Sequence, residues 1–210
     1  MPDLLQSDNQ TAVKRQARQF LLPQAELWLW KQWLPAEKTQ HYLSRLQQEL
    51  DWQQPQLWLF GKAVLIPRLQ VWMGEPHCCY RYSGVTFQPQ AWHPLVWQLT
   101  QWVNRQLNRQ FNAVLLNLYR QGEEHMGWHS DDEPELGNAP DIASLSLGQG
   151  RRFDLKHKTD GYQLSLQLED GDLLLMAAPC QQFWQHRVPK QKQADSVRLN
   201  LTFRYIKSAP

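Results

Sequence analysis

Several features that would place the chain in a special class are scarce among its 210 residues. Cysteine occurs three times, at Cys78, Cys79 and Cys180, and no two cysteines have the C-x-x-C spacing of a zinc or redox site. The odd count and the adjacent pair argue against a disulfide framework. We therefore expect reduced thiols in a cytoplasmic protein, with packing in the core as the plain role of all three.

Long hydrophobic runs are also missing. The longest, around residues 172–179, holds about half a dozen apolar residues, whereas a membrane-spanning helix needs roughly 20. The opening residues Met1-Pro2-Asp3 show no basic stretch followed by an apolar one, so we expect no secretion signal and no membrane contact. The net charge of +2 gives no strong field of either sign, but it does not exclude nucleic acid, because a basic face can lie within a balanced total.

The hydrophobic pattern predicts one integrated domain in three parts. Residues 1–20 are polar and rich in glutamine, which predicts a flexible arm. Residues 21–110 contain two helical stretches, which begin near Pro35 and Pro94, together with short strands and aromatic-rich loops. Residues 111–206 alternate with a period of two between turn signals. Many short strands after a helical first half favour an α+β fold with a β-sandwich or jelly-roll core and helices packed outside.

A candidate metal site begins with the pair His129 and Asp131. Residues i and i+2 of an extended segment project to the same side, so an imidazole and a carboxylate could share one metal. His186 is the candidate third ligand. Two histidines and one carboxylate on one face of an octahedron form the arrangement of non-haem Fe(II) oxygenases. The alternative is chance, because a His-x-Asp pair arises easily in a chain with seven histidines.

A polar face on the last strand strengthens the metal hypothesis. This face carries Arg198, Asn200, Thr202 and Arg204. A guanidinium is a planar fork that matches a carboxylate, so Arg198 could hold the far carboxylate of a dicarboxylic cosubstrate. Arg204 could hold its near end or support an iron ligand. Asn117 and Tyr119 form a second i, i+2 pair that could complete the pocket. The plain alternative is the solvated face of an edge strand.

A family resemblance rests on five motifs that occur in one order along the chain. They are Asn117-Leu118-Tyr119, His129-Ser130-Asp131-Asp132-Glu133, Ala143-Ser144-Leu145-Ser146-Leu147-Gly148, His186-Arg187-Val188-Pro189 and Arg198-Leu199-Asn200-Leu201-Thr202-Phe203-Arg204. In this order the chain resembles the AlkB-type dioxygenases from about Leu59 to Tyr205, and it looks closest to the animal homologues that repair alkylated DNA.

The resemblance implies a double-stranded β-helix (jelly-roll) core with flanking helices and an N-terminal nucleotide-recognition extension. It implies Fe(II), 2-oxoglutarate and O2, with His129, Asp131 and His186 as iron ligands. It assigns 2-oxoglutarate to Asn117, Tyr119, Arg198 and Arg204, with Asn200 and Thr202 in support. It also implies a reaction that demethylates 1-methyladenine and 3-methylcytosine in single- or double-stranded DNA, with RNA as a further candidate, and releases formaldehyde from a monomeric enzyme.

Substrate residues follow from the same resemblance. The segment Tyr80-Arg81-Tyr82-Ser83 resembles a nucleotide-recognition loop in which Tyr82 stacks on the base, whereas core packing is the plain alternative. Phe60-Gly61-Lys62 resembles a finger that invades the duplex and fills the gap left by a flipped base, and a buried phenylalanine at a strand end is the plain alternative for Phe60. Asp132 and Glu133 could favour cationic methylated bases, or form an ordinary acidic turn. Candidate phosphate contacts are Arg68, Arg81, Arg120, Arg151, Arg152, Lys156 and Lys158.

Two rival functions stay open at this point. The same iron chemistry could act on a protein or a lipid, although the tyrosine segment and the two acidic residues argue against it. A catalytically silent nucleic-acid-binding relative could also share the scaffold, although such a relative has no need to keep every metal and cosubstrate residue.

Overall fold

Two antiparallel β-sheets face each other, and two long helices pack against the outside of the larger one. The computed structural model describes residues 17–59, 62–82 and 85–207. The helices are α1 (Ala36–Glu49), α2 (Pro94–Leu107) and the one-turn α3 (Cys180–Phe183). Within the described ranges, no helix is both long and apolar enough to cross a membrane.

Fifteen strands are described. In chain order they are β1 (Arg18–Leu22), β2 (Ala25–Trp30), β3 (Gln56–Leu59), β4 (Lys62–Leu65), β5 (Leu69–Gly74), β6 (Tyr80–Tyr82), β7 (Val85–Phe87), β8 (Ala113–Tyr119), β9 (Met126–His129), β10 (Ile142–Gly148), β11 (Arg151–His157), β12 (Gln163–Leu168), β13 (Leu173–Ala177), β14 (Trp184–Val188) and β15 (Arg198–Arg204). The large sheet has the order β1-β2-β13-β10-β15-β8-β5, and the small sheet has the order β12-β11-β14-β9. Two hairpins, β3–β4 and β6–β7, stand apart from both sheets.

Strand alternation gives the large sheet one apolar face and one mixed face. Leu199, Leu201 and Phe203 of β15 pack with α1 and α2 in one core cluster. The residues between them face the small sheet, where a second cluster includes Ile142, Leu155 and other residues of both sheets. The predicted jelly-roll core is confirmed, and its polar side chains lie between the sheets.

Both predicted long helices are present, with ends that follow from local chemistry. Pro35 immediately precedes α1, and Pro94 occupies the first turn of α2, where the missing N–H is no loss. The Nδ1 atom of His93 accepts a hydrogen bond of 3.3 Å from the N–H of Leu95. Asn108 ends α2 in the left-handed conformation, with φ of 50°.

The predicted part boundaries are partly wrong. The arm was expected over residues 1–20, but β1 begins at Arg18, and residues 1–16 lie outside the described residues. The predicted core began at residue 111, yet β1, β2 and β5 belong to the large sheet. The alternation of β2 is hidden because its half-buried face carries Trp28 and Trp30, so both faces of this strand look apolar in sequence.

We predict that Gly148→Ala destabilises the protein more than Gly161→Ala. Both glycines have positive φ, 82° and 73°. A Cβ at Gly148 would lie 2.4 Å from the carbonyl oxygen of Val197, whereas a Cβ at Gly161 would meet nothing within 4 Å. Gly161→Ala should lose about 1–2 kcal/mol through left-handed strain alone. Gly148→Ala should lose roughly 1–3 kcal/mol more through overpacking, measured as the free energy of urea unfolding. Equal losses would contradict the close contact.

Candidate metal and cosubstrate site

Two histidines meet on the inner face of the small sheet. His129 ends β9 and lies directly opposite His186 of β14 in the strand register, with ring centroids 4.2 Å apart. Asp131 follows β9 by two residues, as the i, i+2 argument requires. One ligand atom from each of the three side chains lies within 4.8 Å of the others. The structure therefore brings the three predicted metal ligands together.

The surroundings of the histidines prepare both rings for metal binding. The Nδ1 atom of His129 donates to the carbonyl oxygen of Gly127 at 2.9 Å, which leaves Nε2 as the free ligand atom of a neutral ring. Burial lowers the pKa of His129, and burial lowers the pKa of His186 to about 3. Both imidazoles are therefore neutral at pH 7, the form that ligates a metal.

Asp131 is buried and oriented from two sides. Its backbone N–H donates to Oε1 of Gln181 at 3.0 Å, and its Oδ1 is ion-paired with Arg204. Burial acts to raise the pKa of Asp131, but the charge of Arg204 and its hydrogen bond hold that pKa below its usual range. Its Oδ2 lies 3.6 Å from Nε2 of His186 and has no hydrogen-bond partner among the described residues. A divalent cation fits this donor set.

Gln181 is a functional residue that sequence reasoning missed. It lies on α3, is fully buried, and places the Asp131 backbone while its Nε2 contacts the sulfur of Met176 at 3.6 Å. The segment Pro179-Cys180-Gln181-Gln182 has no periodic pattern, and glutamine is abundant throughout the chain. No sequence signal separates Gln181 from the other glutamines.

The predicted cosubstrate residues line the neighbouring strands of the large sheet. In the register, Asn200 is opposite Asn117 and Arg198 is opposite Tyr119. Asn200 donates to Oγ of Ser144 at 2.7 Å and accepts from the hydroxyl of Thr202 at 3.1 Å. All seven residues of β15 are buried, so the alternative of a solvated edge strand is wrong.

Arg198 carries the clearest unmet hydrogen-bonding capacity. Its Nη2 donates to Oγ of Ser146 at 3.0 Å, and its guanidinium lies 5.4 Å from the ring centre of Tyr119. Its Nε and Nη1 are buried and have no hydrogen-bond partner in the described part of the chain. Burial lowers the pKa of Arg198 to about 10, against the opposing effect of Tyr119, so the group stays charged at pH 7. A buried charge with free donors fits a carboxylate.

The predicted substrate residues are described less completely. Phe60, Gly61 and Ser83 lie outside the described residues. Lys62 begins β4, and Tyr80, Arg81 and Tyr82 form β6, paired with β7. Asp132 is exposed and forms an ion pair of 3.3 Å with Lys158. Glu133 is half-buried and precedes the 3-10 turn Pro134–Leu136.

Two of the predicted phosphate contacts are wrong. Arg68 and Arg151 are 4% and 1% exposed, so neither can reach a backbone phosphate. The Nε of Arg68 donates instead to Oδ1 of Asn117 at 2.7 Å, beside the predicted cosubstrate pocket. Two further candidates, Arg120 and Arg152, are ion-paired with the carboxylates of Glu124 and Asp154.

Comparisons with known proteins agree with the metal-site geometry. A model of the 2OG-Fe(II) oxygenase superfamily matches residues 26–204. The alpha-ketoglutarate-dependent dioxygenase alkB homolog 3 of Homo sapiens is 38% identical over 178 residues, which cover 80% of this chain and 62% of that protein. The DNA oxidative demethylase ALKBH2 of Homo sapiens is 36% identical over 156 residues, which cover 70% of this chain and 60% of that protein.

The chain thus spans 60–62% of the length of these two relatives. A solved structure described as that of OsALKBH1 superposes with a TM-score of 0.60 at 21% identity, covering 89% of this chain and 100% of that one. At this identity the likeness concerns the fold alone.

We predict that Arg204→Met destabilises the metal-free protein strongly. The substitution leaves the buried carboxylate of Asp131 without its ion-pair partner, and a stranded buried charge costs about 3–5 kcal/mol. Lys190→Met is the matched control, because its ion pair with Glu123 is exposed and should contribute less than about 1 kcal/mol. Urea unfolding in the presence of a chelator measures both. Similar losses in the two variants would contradict this role of Arg204.

Proposed function

Because the chain belongs to the AlkB family of the 2OG-Fe(II) oxygenase superfamily, we propose that it is an oxidative demethylase of N-alkylated bases in DNA. The family implies Fe(II), 2-oxoglutarate and O2. The proposed substrates are 1-methyladenine and 3-methylcytosine, in single- or double-stranded DNA and also in RNA, and the proposed product is formaldehyde. The observation that carries this proposal is the convergence of His129, Asp131 and His186, together with the buried Nε and Nη1 of Arg198 that have no hydrogen-bond partner among the described residues.

His129, Asp131 and His186 would hold the iron. Three protein ligands on one side of an octahedral ion leave the other positions for cosubstrate and oxygen. When bound, iron with 2-oxoglutarate and O2 supplies the oxidising power to hydroxylate an N-methyl group. The chain's own contribution is to keep both imidazoles neutral and to hold the Asp131 carboxylate ionised and aimed at the same centre.

Arg198 and Tyr119 would hold the far carboxylate of 2-oxoglutarate. The Nε and Nη1 of Arg198 would gain the acceptors that the described residues do not provide. Asn117 would contribute its amide, whose orientation is set by the hydrogen bond from Arg68. Asn200 and Thr202 form the supporting network, and Arg204 would orient the near end of the cosubstrate through its contact with Asp131. We therefore assign these residues as the cosubstrate site.

The two small hairpins would recognise the nucleotide. A base within a duplex cannot bring its methyl group to a buried metal, so the base must be flipped or supplied in a single strand. The β6–β7 hairpin follows Cys78, whose carbonyl accepts a hydrogen bond of 2.8 Å from Nε1 of Trp72. The Trp72 ring in turn lies 5.8 Å from the guanidinium of Arg204. This attachment near a metal-ligand partner supports Tyr80, Arg81, Tyr82 and Ser83 as base-recognition residues.

The β3–β4 hairpin is connected to the proposed cosubstrate site through Arg68. After β4 the chain leads directly to Arg68, which bonds Asn117. The exposed fractions of Val64 and Leu65 are 44% and 50%, so this hairpin presents apolar side chains to its surroundings. Apolar wedges can replace a flipped base in the stack. This supports the proposed invading role of Phe60, Gly61 and Lys62.

Asp132 and Glu133 would favour the methylated bases by charge. 1-Methyladenine and 3-methylcytosine are cationic, whereas the normal bases are neutral, so a carboxylate near the ring distinguishes them. Both residues directly follow the proposed metal ligands His129 and Asp131, which supports a position beside the base. The name of the ALKBH2 relative states DNA oxidative demethylation, which favours a base over a protein or lipid substrate.

We predict that His129→Ala or Asp131→Ala abolishes formaldehyde release from methylated oligonucleotides. Each substitution removes one metal ligand and should also lower the affinity for Mn(II), measured by titration calorimetry as a readout independent of turnover. His41→Ala is the matched control, because His41 is an exposed residue of α1. Turnover by either ligand variant at the wild-type rate would exclude the assigned ligands.

The substrate class is tested with the same assay on parallel substrates. Methylated single-stranded DNA, duplex DNA, RNA and a methylated peptide are compared with wild-type protein, and we expect release from the nucleic acids. Release from the peptide alone would favour the protein-oxygenase alternative. Binding of DNA without any succinate production in the presence of iron would favour the catalytically silent alternative.

We predict that Arg198→Gln mainly weakens the use of 2-oxoglutarate. Loss of a charge-assisted hydrogen bond of about 1.5–3 kcal/mol corresponds to a roughly 10- to 150-fold higher KM for the cosubstrate. The kcat at saturating 2-oxoglutarate should change far less, and added cosubstrate should restore turnover. An unchanged KM would place the cosubstrate elsewhere.

A further inference from the structure

Arg151 is a buried arginine that the site described above does not use. It begins β11 and is 1% exposed, whereas the neighbouring Arg152 points outward with 51% of its side chain exposed. The Nη2 of Arg151 donates to the carbonyl oxygens of Glu124 at 2.9 Å and Pro189 at 2.8 Å. Its Nε is buried and has no hydrogen-bond partner among the residues described. Its hydrogen bonds thus go to carbonyl oxygens, and the carboxylate of Glu124 lies near enough to act on its charge.

Arg151 shares an aromatic ring with Arg198. Its guanidinium carbon lies 5.6 Å from the ring centre of Tyr119, and that of Arg198 lies 5.4 Å from the same centre. Arg198 donates to the hydroxyl of Ser146 and interacts with the side chain of Tyr119, both of them neutral groups. The two like charges repel each other. This repulsion adds to the free-energy cost of burying each guanidinium without a counter-ion. Such a pair is stabilised when an anion binds beside it.

We propose that Arg151 is a positioning residue for 2-oxoglutarate, which acts through Tyr119 and Arg198 to select a cosubstrate with a second carboxylate. This inference rests on the proposed location of the far carboxylate at Arg198. Arg151 raises the positive potential at that carboxylate. Through its contacts with the Glu124 and Pro189 carbonyls, it also ties the segment after β8 to the end of β14 around the Tyr119 ring.

The test compares 2-oxoglutarate with 2-oxopentanoate, which has the same chain length and lacks the far carboxylate. Binding of each acid to the full chain loaded with Mn(II) is measured by titration calorimetry. Wild-type protein should prefer 2-oxoglutarate. Arg151→Gln should reduce this preference roughly tenfold, as expected for loss of one nearby charge at an effective dielectric constant of about 20. Arg152→Gln, the matched control on the outer face, should change it less than about twofold.

The preference for the diacid separates positioning from a merely structural role. If Arg151→Gln weakens both acids equally, or neither, the proposal is overturned. If this variant does not fold, Arg151→Lys decides, because it keeps the charge and alters the carbonyl contacts. A preference in Arg151→Lys within about threefold of wild type supports the charge effect, since one charge at this dielectric is worth more than that. Loss of the preference for 2-oxoglutarate in folded Arg151→Lys overturns the proposal.

Failure of the underlying cosubstrate assignment gives a different result. If wild-type protein shows no preference for the diacid, or if Arg198→Gln leaves the preference unchanged, the proposed site of the far carboxylate is wrong. If Arg198→Gln removes the preference and Arg151→Gln does not alter it, the cosubstrate site stands and the role of Arg151 alone is excluded.

Discussion

The ion pair between Asp131 and Arg204 is the interaction on which the site depends. Asp131 follows a strand of the small sheet, and Arg204 ends the central β15 of the large sheet, so the pair joins the two sheets across their buried interface. Neither charge can reach water, and each would be strongly destabilising without the other. The pair therefore holds the carboxylate beside both histidines and holds the end of β15 against the same site.

A surplus of buried positive charge follows from this arrangement. Arg204 uses the metal-ligand carboxylate, whereas Arg68, Arg151 and Arg198 donate to an amide, carbonyls and a hydroxyl. Burying guanidiniums against neutral oxygens is unfavourable unless an anion arrives. We therefore infer that a dicarboxylate would complete the electrostatics of the proposed cosubstrate site and would stabilise the folded protein when it binds.

The chemistry was more predictable from sequence than the boundaries of the fold. The spacing of His129 and Asp131 is local, so the extended geometry alone predicts that both side chains point in the same direction. The contact with the third candidate, His186, depends on the pairing of β9 with β14, which only the structure shows. Which face of a strand is buried depends on tertiary packing and cannot be read from the local sequence. The consecutive arginines Arg151 and Arg152 look alike in sequence, and only the packing of β11 shows that the first is buried. Gln181 and the tryptophan-rich β2 carry no readable periodicity, so tertiary contacts alone reveal their roles.

The division of labour between sheets and hairpins explains how one scaffold can keep its reaction and vary its substrate. The proposed cosubstrate residues and His186 lie on strands paired on both sides, and His129 and Asp131 lie at the end of the edge strand β9, which pairs with β14. Backbone hydrogen bonds and burial restrict movement there. The proposed recognition residues of β3–β4 and β6–β7 lie on two-stranded hairpins, which are marginally stable alone and tolerate substitution. In this proposal, changes in the hairpins would alter which base is admitted without disturbing the buried charges assigned to the diacid and the metal.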